Sequence, residues 1–409
     1  MIPAARALSD LRVVDCSRLI AGGVLATMLA DLGADVLKVE NPKGGDPIRT
    51  WSKSLGELWW KVYGRGKRSI TLNLARPEGQ DLLKRLVGTA DVLIENYVPG
   101  TFEKWGLGWD VLSRVNPRLV MVRVSGWGQD GPYRDRPGFG TMVEAMTGFA
   151  ATTGAAESPT LPSFPMADMV AAQAGAVAVL AAIHHRDKAS GGDKASGRDK
   201  VSGRGQMIDL PLYEPLLAIL GPNALEYRAH GIVRERIGNR SHNASPRGTY
   251  KTSDGKWVAL SASTPASADA MFKALGIGHL LSDPRFATND ARIANGEAVD
   301  EAIARAIGQR SREEIVRLFE TQGLTAAPVY DIADIMEDPH FKARQTFIDL
   351  PDPELGTVTM NAPTPRLSET PGSVRWAGPP LGAHNREIYA GELGLTDQEL
   401  ERLKAGGII

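Results

Sequence analysis

Apolar and polar positions along the first part of the chain sort it into short strands and amphipathic helices. Residues 12–15 and 35–40 are apolar-rich runs of strand length, and residues 22–32 between them form an apolar helix that stops at Gly33. The spacing predicts further strands over 69–73, 91–95 and 119–125. Helices are predicted over 77–87, with Pro77 in the first turn, and over 109–115. Strand, helix and strand repeated in that order build an open parallel sheet, α/β in class, whose ligands sit beyond the strand carboxyl ends. A loop rich in Gly, Pro and charge follows over 126–140, then a short apolar segment over 141–149. At 165–180 the pattern changes: the run is apolar and small-sided, with one charged residue, Asp168, at its head. Such a helix belongs in a core. Its carboxylate either caps the helix, accepting from amides two or three residues on, or is kept ionised there as a nucleophile. The local pattern leaves both open.

Beyond this helix, Arg186-Asp187-Lys188-Ala189-Ser190-Gly191 and two near-copies of it fill 186–203. A six-residue repeat of Gly, Ser and paired charges has no face to bury, so it reads as a surface insertion. A strand over 207–210 and a helix over 213–227 lead away from the first domain. Two alternating runs about Asp254-Gly255 predict a hairpin over 249–260. Helices over 266–275, 296–307 and 312–322 and a strand over 327–330 complete a smaller α+β domain. The organisation is therefore a large domain over 1–227, a small one over 228–330, and a linker with return to the large domain over 331–409.

A length of 409 residues suits two or three domains. Lys+Arg 47 against Asp+Glu 48 leaves a net charge of -1 with basic residues scattered, which argues against a nucleic-acid partner. The single cysteine, Cys16, excludes an intrachain disulfide and a multi-cysteine metal site, and it reads as a small buried hydrophobe. No metal site is expected. The first ten residues carry no apolar signal region, and no unbroken apolar run reaches membrane length, so a cytoplasmic protein off the membrane is expected. The turn after the first strand, Cys16-Ser17-Arg18-Leu19-Ile20-Ala21-Gly22-Gly23, lacks the G-x-G-x-x-G spacing. That argues against a nicotinamide or flavin dehydrogenase.

Several ordered motifs resemble family III CoA transferases, the group of formyl-CoA:oxalate CoA transferase and α-methylacyl-CoA racemase. They are Leu11-Arg12-Val13-Val14-Asp15, Ala30-Asp31-Leu32-Gly33-Ala34-Asp35-Val36-Leu37-Lys38-Val39-Glu40, Gly66-Lys67-Arg68-Ser69-Ile70-Thr71-Leu72-Asn73-Leu74 and Ala90-Asp91-Val92-Leu93-Ile94-Glu95-Asn96-Tyr97-Val98-Pro99-Gly100. Gly203-Arg204-Gly205-Gln206, Ala327-Pro328-Val329 and Leu381-Gly382-Ala383-His384 extend the match to the chain's end. The resemblance implies a large Rossmann-like domain built from both chain ends, a smaller α+β domain, and two subunits interlocked as a homodimer. It implies that Asp168 is a nucleophile forming acyl and CoA intermediates. Coenzyme A is then a substrate and carrier, with no tightly bound cofactor, and acyl-CoA and free carboxylic acids are the partners. Leu19, Leu72, Asn96, Tyr97 and Lys104 would lie along CoA. Lys104 stands where the formyl-CoA relative has Arg, which keeps a charge for phosphate and loses the bidentate fork.

Departures from the family pattern refine the expectation. Racemase relatives pair a His with the Asp across an α-carbon, and Phe139 fills that His position here, so transfer is favoured over racemisation. Ile20 replaces the Gln of the oxalate enzyme, and Gly238-Asn239-Arg240-Ser241-His242-Asn243-Ala244-Ser245 replaces its glycine-rich lid, which argues against oxalate. Arg18, Arg49, Arg240, His242 and Arg247 are candidates for a free substrate carboxylate, suiting succinyl-CoA as donor and a hydroxy-dicarboxylate such as malate as acceptor. Gly138 and Gly140 are candidates for oxyanion stabilisation through backbone amides. Trp59, Trp60 and Tyr63 would wall a CoA pocket or pack a core. The competing readings are an acyl-CoA racemase or epimerase, and a CoA-binding protein without turnover.

Overall fold

The computed structural model describes residues 6–52, 57–188, 203–262 and 264–409. Their contacts divide into two compact units, Met1–Phe149 with Pro162–Pro222 and Gln345–Ile409, and Ala150–Leu161 with Asn223–Arg344.

The first unit is built on a six-stranded sheet. Its strands are β1 (Arg12–Asp15), β2 (Asp35–Glu40), β3 (Lys67–Thr71), β4 (Val92–Glu95), β5 (Val120–Ser125) and β6 (Met207–Pro211). They lie in the order β3-β2-β1-β4-β5-β6, all parallel. Both faces are covered, as a parallel sheet requires. The strand period of two divides the apolar residues between them. Val13, Val92, Ile94, Val120, Val122 and Val124 enter one core, and Val14, Leu93 and Met121 the other.

The first core is closed by α1 (Ala21–Asp31) and the long helix that carries Asp168. Among the intervening helices are α2 (Pro77–Val87), α3 (Trp109–Val115) and α4 (Gly140–Met146); the long helix, α5, runs from Met166 to Lys188, and α6 (Tyr213–Ile219) follows β6. Small residues let α5 press close to its neighbours. A Cβ on Gly175 would stand 2.4 Å from Leu25 Cδ1 of α1 and 2.6 Å from Leu210 Cδ2 of β6. At 23 residues α5 is by length and composition long and apolar enough to cross a membrane, although Asp168 and Gln173 interrupt its apolar run. Here Ala167, Ala171, Ala172 and Val179 bury one of its faces in the core.

The chain end returns to the edge of the same sheet. Trp376 Nε1 donates to Lys67 O at 2.8 Å, Tyr389 Oη to Thr71 O at 2.7 Å, and Asn73 N–H to Ile408 O at 2.7 Å. A hairpin of Phe347–Asp352 and Gly356–Asn361, unforeseen in the sequence, sits ahead of this return. Buried Lys61 fixes it through Asp352 at 2.9 Å and Glu354 at 2.8 Å.

The second unit holds α7 (Asn223–His230), the strands β7 (Arg247–Lys251) and β8 (Trp257–Ser261), and α8 (Pro265–Ala274). These are followed by α9 (Gly296–Ile307), α10 (Arg312–Thr321) and β9 (Ala326–Pro328). The three strands form an antiparallel sheet, and Phe272, Ile303, Ile315 and Phe319 pack into its core with Val258 and Leu260.

Three sequence expectations change. The helix over 213–227 is two helices, because Gly221 adopts φ +77° and Pro222 follows it. The second unit begins before 228 and takes in Ala150–Leu161, because Gly238 N–H donates to Gly154 O at 3.0 Å and Arg236 reaches the carbonyls of Ala151, Ala155 and Ala156. Of the insertion expected over 186–203, residues 189–202 lie outside the described residues. Arg186 belongs to α5 and is buried, paired with Asp91 at 3.0 Å and Asp187 at 2.8 Å.

Candidate active site around Asp168

The carboxyl ends of β1, β4 and β5 lead into turns that border a cavity of about 260 Å³. Its walls carry Arg18, Leu19, Ile20, Asn96, Tyr97 and Gly138, with Asp168 among them. Asp168 is the third residue of α5 rather than the residue before it, which corrects the capping alternative. The amide of Ala167 is served instead by Glu144 of α4, whose Oε1 accepts it at 3.1 Å.

The Asp168 side chain is half-buried and accepts hydrogen bonds from its own N–H and from that of Ala21, the first residue of α1. Burial and the nearby Glu144 carboxylate push it up to about 6, and the two amides pull the other way. Gly140 is needed against it, because a Cβ there would stand 2.4 Å from Asp168 Oδ2. Gly138 meets a different demand: its backbone passes Gly126 so closely that a Cβ would lie 2.6 Å from Gly126 Cα.

The turn that delivers Ala21 is held from three sides. Arg18 N–H donates to Asn96 Oδ1 at 2.8 Å, and Asn96 Nδ2 donates back to Arg18 O at 2.7 Å. Leu19 adopts φ +60°, a costly conformation for a branched side chain, and its N–H donates to Asp46 Oδ1 at 3.0 Å. Asp46 is buried and paired with Lys38 at 2.8 Å. Lys38 also donates to Ser17 O and faces Asp15, which Lys67 meets at 3.0 Å. Burial raises the pKa of Asp15, but the two lysines outweigh it and hold the carboxyl below its usual range. Cys16, buried beside Asp15, has its thiol pushed well up by burial, so it is a neutral, packed side chain.

A second cavity, of about 450 Å³, adjoins the first through shared Arg18 and Tyr97. Leu72 lines it, together with Glu40, Asn41, Lys43, Asp46, Asn73 and Trp105. Tyr97 is fixed by its own N–H to Glu95 Oε2 at 2.8 Å, and the Arg18 guanidinium lies 4.7 Å from its ring. Burial pushes Glu95 up to about 7 against the pull of Arg123. Lys104 is exposed at the end of the short helix Thr101–Lys104, just ahead of Trp105.

Not every sequence candidate meets at this site. Arg49 is buried and its guanidinium is taken up by Glu40 at 2.8 Å and 2.9 Å, Glu57 at 3.1 Å and Pro379 O at 3.1 Å. It also lies 3.8 Å over the ring of Trp60. Those partners leave it no free fork for a substrate, and its expected role is corrected to a structural one. Trp60 is core, with Nε1 donating to Pro379 O at 2.7 Å, whereas Trp59 stacks on Tyr63 and meets Trp51 at a tilt. Arg240, His242 and Arg247 gather around a cavity of about 680 Å³ within the second unit. There Arg240 stands 3.9 Å from Asp300, His242 Nε2 lies 3.2 Å from Glu235 O, and Arg247 donates to Asn239 O and Arg240 O.

Sequence reasoning missed Glu144, Asp46, Arg134 and Arg136. The last two line the Asp168 cavity, and their spacing in a Gly/Pro-rich loop was the one available signal. Nothing in the sequence marks Glu144 or Asp46, whose parts are set by long-range packing.

Parallel strands wound on both faces, with an Asp at their carboxyl edge beside two joined cavities, define an α/β protein arranged to act on an extended ligand. Residues 8–385 match CoA-transferase family III. The chain is 42% identical over 408 residues to the Succinyl-CoA–D-citramalate CoA-transferase of Chloroflexus aurantiacus, covering 99% of this chain and 98% of that one. It is 40% identical over 409 residues to the Succinyl-CoA–L-malate CoA-transferase beta subunit of the same organism, covering 98% of each. A crystal structure of a CAIB/BAIF family protein from Brucella suis aligns with TM-score 0.82 at 32% identity, over 94% of this chain and 99% of that one. The chain belongs to CoA-transferase family III and is an enzyme of the transferase class.

Proposed function

We propose that this enzyme moves CoA from succinyl-CoA to a dicarboxylic acid, of the hydroxylated kind typified by malate and citramalate, through covalent intermediates on Asp168. One observation carries the mechanism. A carboxylate pushed up to about 6 stands at a cavity edge with the amide of Ala21 on it, ionised at neutral pH yet poorly solvated. The substrate classes are supported by the names of the two relatives.

Asp168 attacks the donor thioester carbonyl; the carbon–sulfur bond breaks, giving an aspartyl mixed anhydride and CoA thiolate. The thiolate attacks the aspartyl carbonyl, releasing the donor acid and leaving an aspartyl–CoA thioester. The acceptor carboxylate attacks that carbonyl and expels the thiolate. The thiolate then takes the new acyl group and frees Asp168. Water would hydrolyse each intermediate, so the thiol must stay near while remote parts of CoA are held. The adjoining 450 Å³ cavity supplies a place for those parts. Leu19, Leu72, Asn96, Tyr97 and Lys104 are assigned along CoA, with Arg18 at the junction; Gly138 and Gly140 are the oxyanion candidates. CoA serves as substrate and carrier.

A homodimer belongs to the same proposal, supported by apolar side chains left bare on α5 and α6, namely Val177, Leu217 and Ile219. The racemase alternative has no imidazole at 139, where Phe139 stands exposed. Turnover in deuterated water separates the two, since transfer puts no label on the α-carbon.

The test is to mix the enzyme with a panel of acyl-CoAs, add hydroxylamine, and map modified peptides by mass spectrometry. Modification confined to Asp168 and strongest with succinyl-CoA is expected. A protein that transfers CoA without modification at Asp168 rejects the proposal.

A further inference from the structure

We infer that Glu144 is a positioning residue that acts through Asp168, holding the first turn of α5 while making Asp168 readier to give up its negative charge to an acyl carbon. The inference rests on Asp168 being the nucleophile.

Gly140 and Glu144 stand one helical turn apart on α4 and therefore share a face. That face meets the start of α5 at both positions. The bare Cα of Gly140 makes room for Asp168 Oδ2, and Glu144 Oε1 accepts the amide of Ala167 at 3.1 Å. Glu144 is only 3% exposed, and among the described residues it makes no ion pair. A neutral Gln would satisfy the Ala167 amide equally well, without the cost of burying a charge. The acidic choice sets a second carboxylate near Asp168, on the amide of the residue before it, and Asp168 feels the repulsion.

The chemistry gives this repulsion a use. As Asp168 attacks a thioester, its charge passes to the acyl oxygen and then leaves on the CoA thiolate, so the aspartyl anhydride beside Glu144 is neutral. Formation of the covalent state relieves the repulsion, and expulsion of Asp168 from it restores the repulsion. Glu144 thereby favours capture. The other charged groups on this cavity are Arg18 on the turn before α1 and Arg134, Asp135 and Arg136 on the loop before α4.

The experiment compares wild type with Glu144→Gln, which keeps the hydrogen bond and removes the charge, and with Glu144→Met, which removes both. Carboxyl-carbon NMR follows the titration of Asp168, and rapid quench with succinyl-CoA follows adduct formation against pH. In both variants the titration is expected to fall by roughly half to one pH unit. Adduct formation above neutral pH should slow about threefold to tenfold, and only the Met variant should melt early. An Asp168 titration unmoved in Glu144→Gln overturns the inference. A titration that falls as expected while wild type forms no adduct sustains the coupling and rejects the nucleophile instead.

Discussion

At the scale of single residues, the site is a carboxylate kept at a cost. Asp168 titrates near 6 in the fold because burial and Glu144 disfavour its charge, against 3.8 for an unperturbed carboxyl. A folded pKa above the unfolded one means that the charged form burdens the native state above about pH 6, and the burden fades as pH falls toward 4. Asp168→Asn should therefore raise the melting midpoint at pH 8 by roughly 2 °C and leave it nearly unchanged below pH 4. Calorimetry at the two pH values checks this, and equal shifts at both would refute the sign. Gly140→Ala puts a methyl 2.4 Å from Asp168 Oδ2. It should fold while losing about a hundredfold in kcat, because the carboxylate must turn away from its productive position. A kcat within twofold of wild type would show that the contact is tolerated.

At the scale of elements, the turn between β1 and α1 governs the site, because it aims the Ala21 amide at Asp168. Its left-handed Leu19 is held by Asp46, which Lys38 backs. Asp46→Ala removes one partner of a buried pair, so urea unfolding should show a loss of about 3 kcal/mol. A loss under about 0.5 kcal/mol would mean that the turn holds itself. Most elements of the first unit were legible because strand alternation and helix periodicity are local, and β1, β2 and α2 begin and end where the pattern says. Asp168 was legible because it is the one charge at the head of an apolar run. The turn's support was not, since Asp46 and Lys38 are separated in sequence from Leu19 and look like surface charges. Arg49 misled for the same reason: nothing nearby reveals that Glu40 and Trp60 consume it. The hairpin over Phe347–Asp352 and Gly356–Asn361 was missed because its Pro and Asp residues read as loop, whereas buried Lys61 gathers the acidic end.

At the scale of the whole molecule, a proposed dimer would cover the apolar faces of α5 and α6. Sedimentation velocity should give twice the chain mass, and Leu217→Glu, a position half-exposed in the single chain, should move material to monomer. Wild type sedimenting as a monomer would remove this part of the proposal. The central claim concerns Asp168 as a chemical participant, and the path of oxygen tests it most directly. In the proposed mechanism the acceptor carboxylate attacks the aspartyl thioester, and one acceptor oxygen becomes the bridge of the anhydride. The returning thiolate then leaves that oxygen on Asp168. Turnover with an acceptor acid labelled with heavy oxygen, followed by peptide mass spectrometry, should therefore place label in the peptide containing Asp168. Continued transfer with that peptide unlabelled would contradict the account.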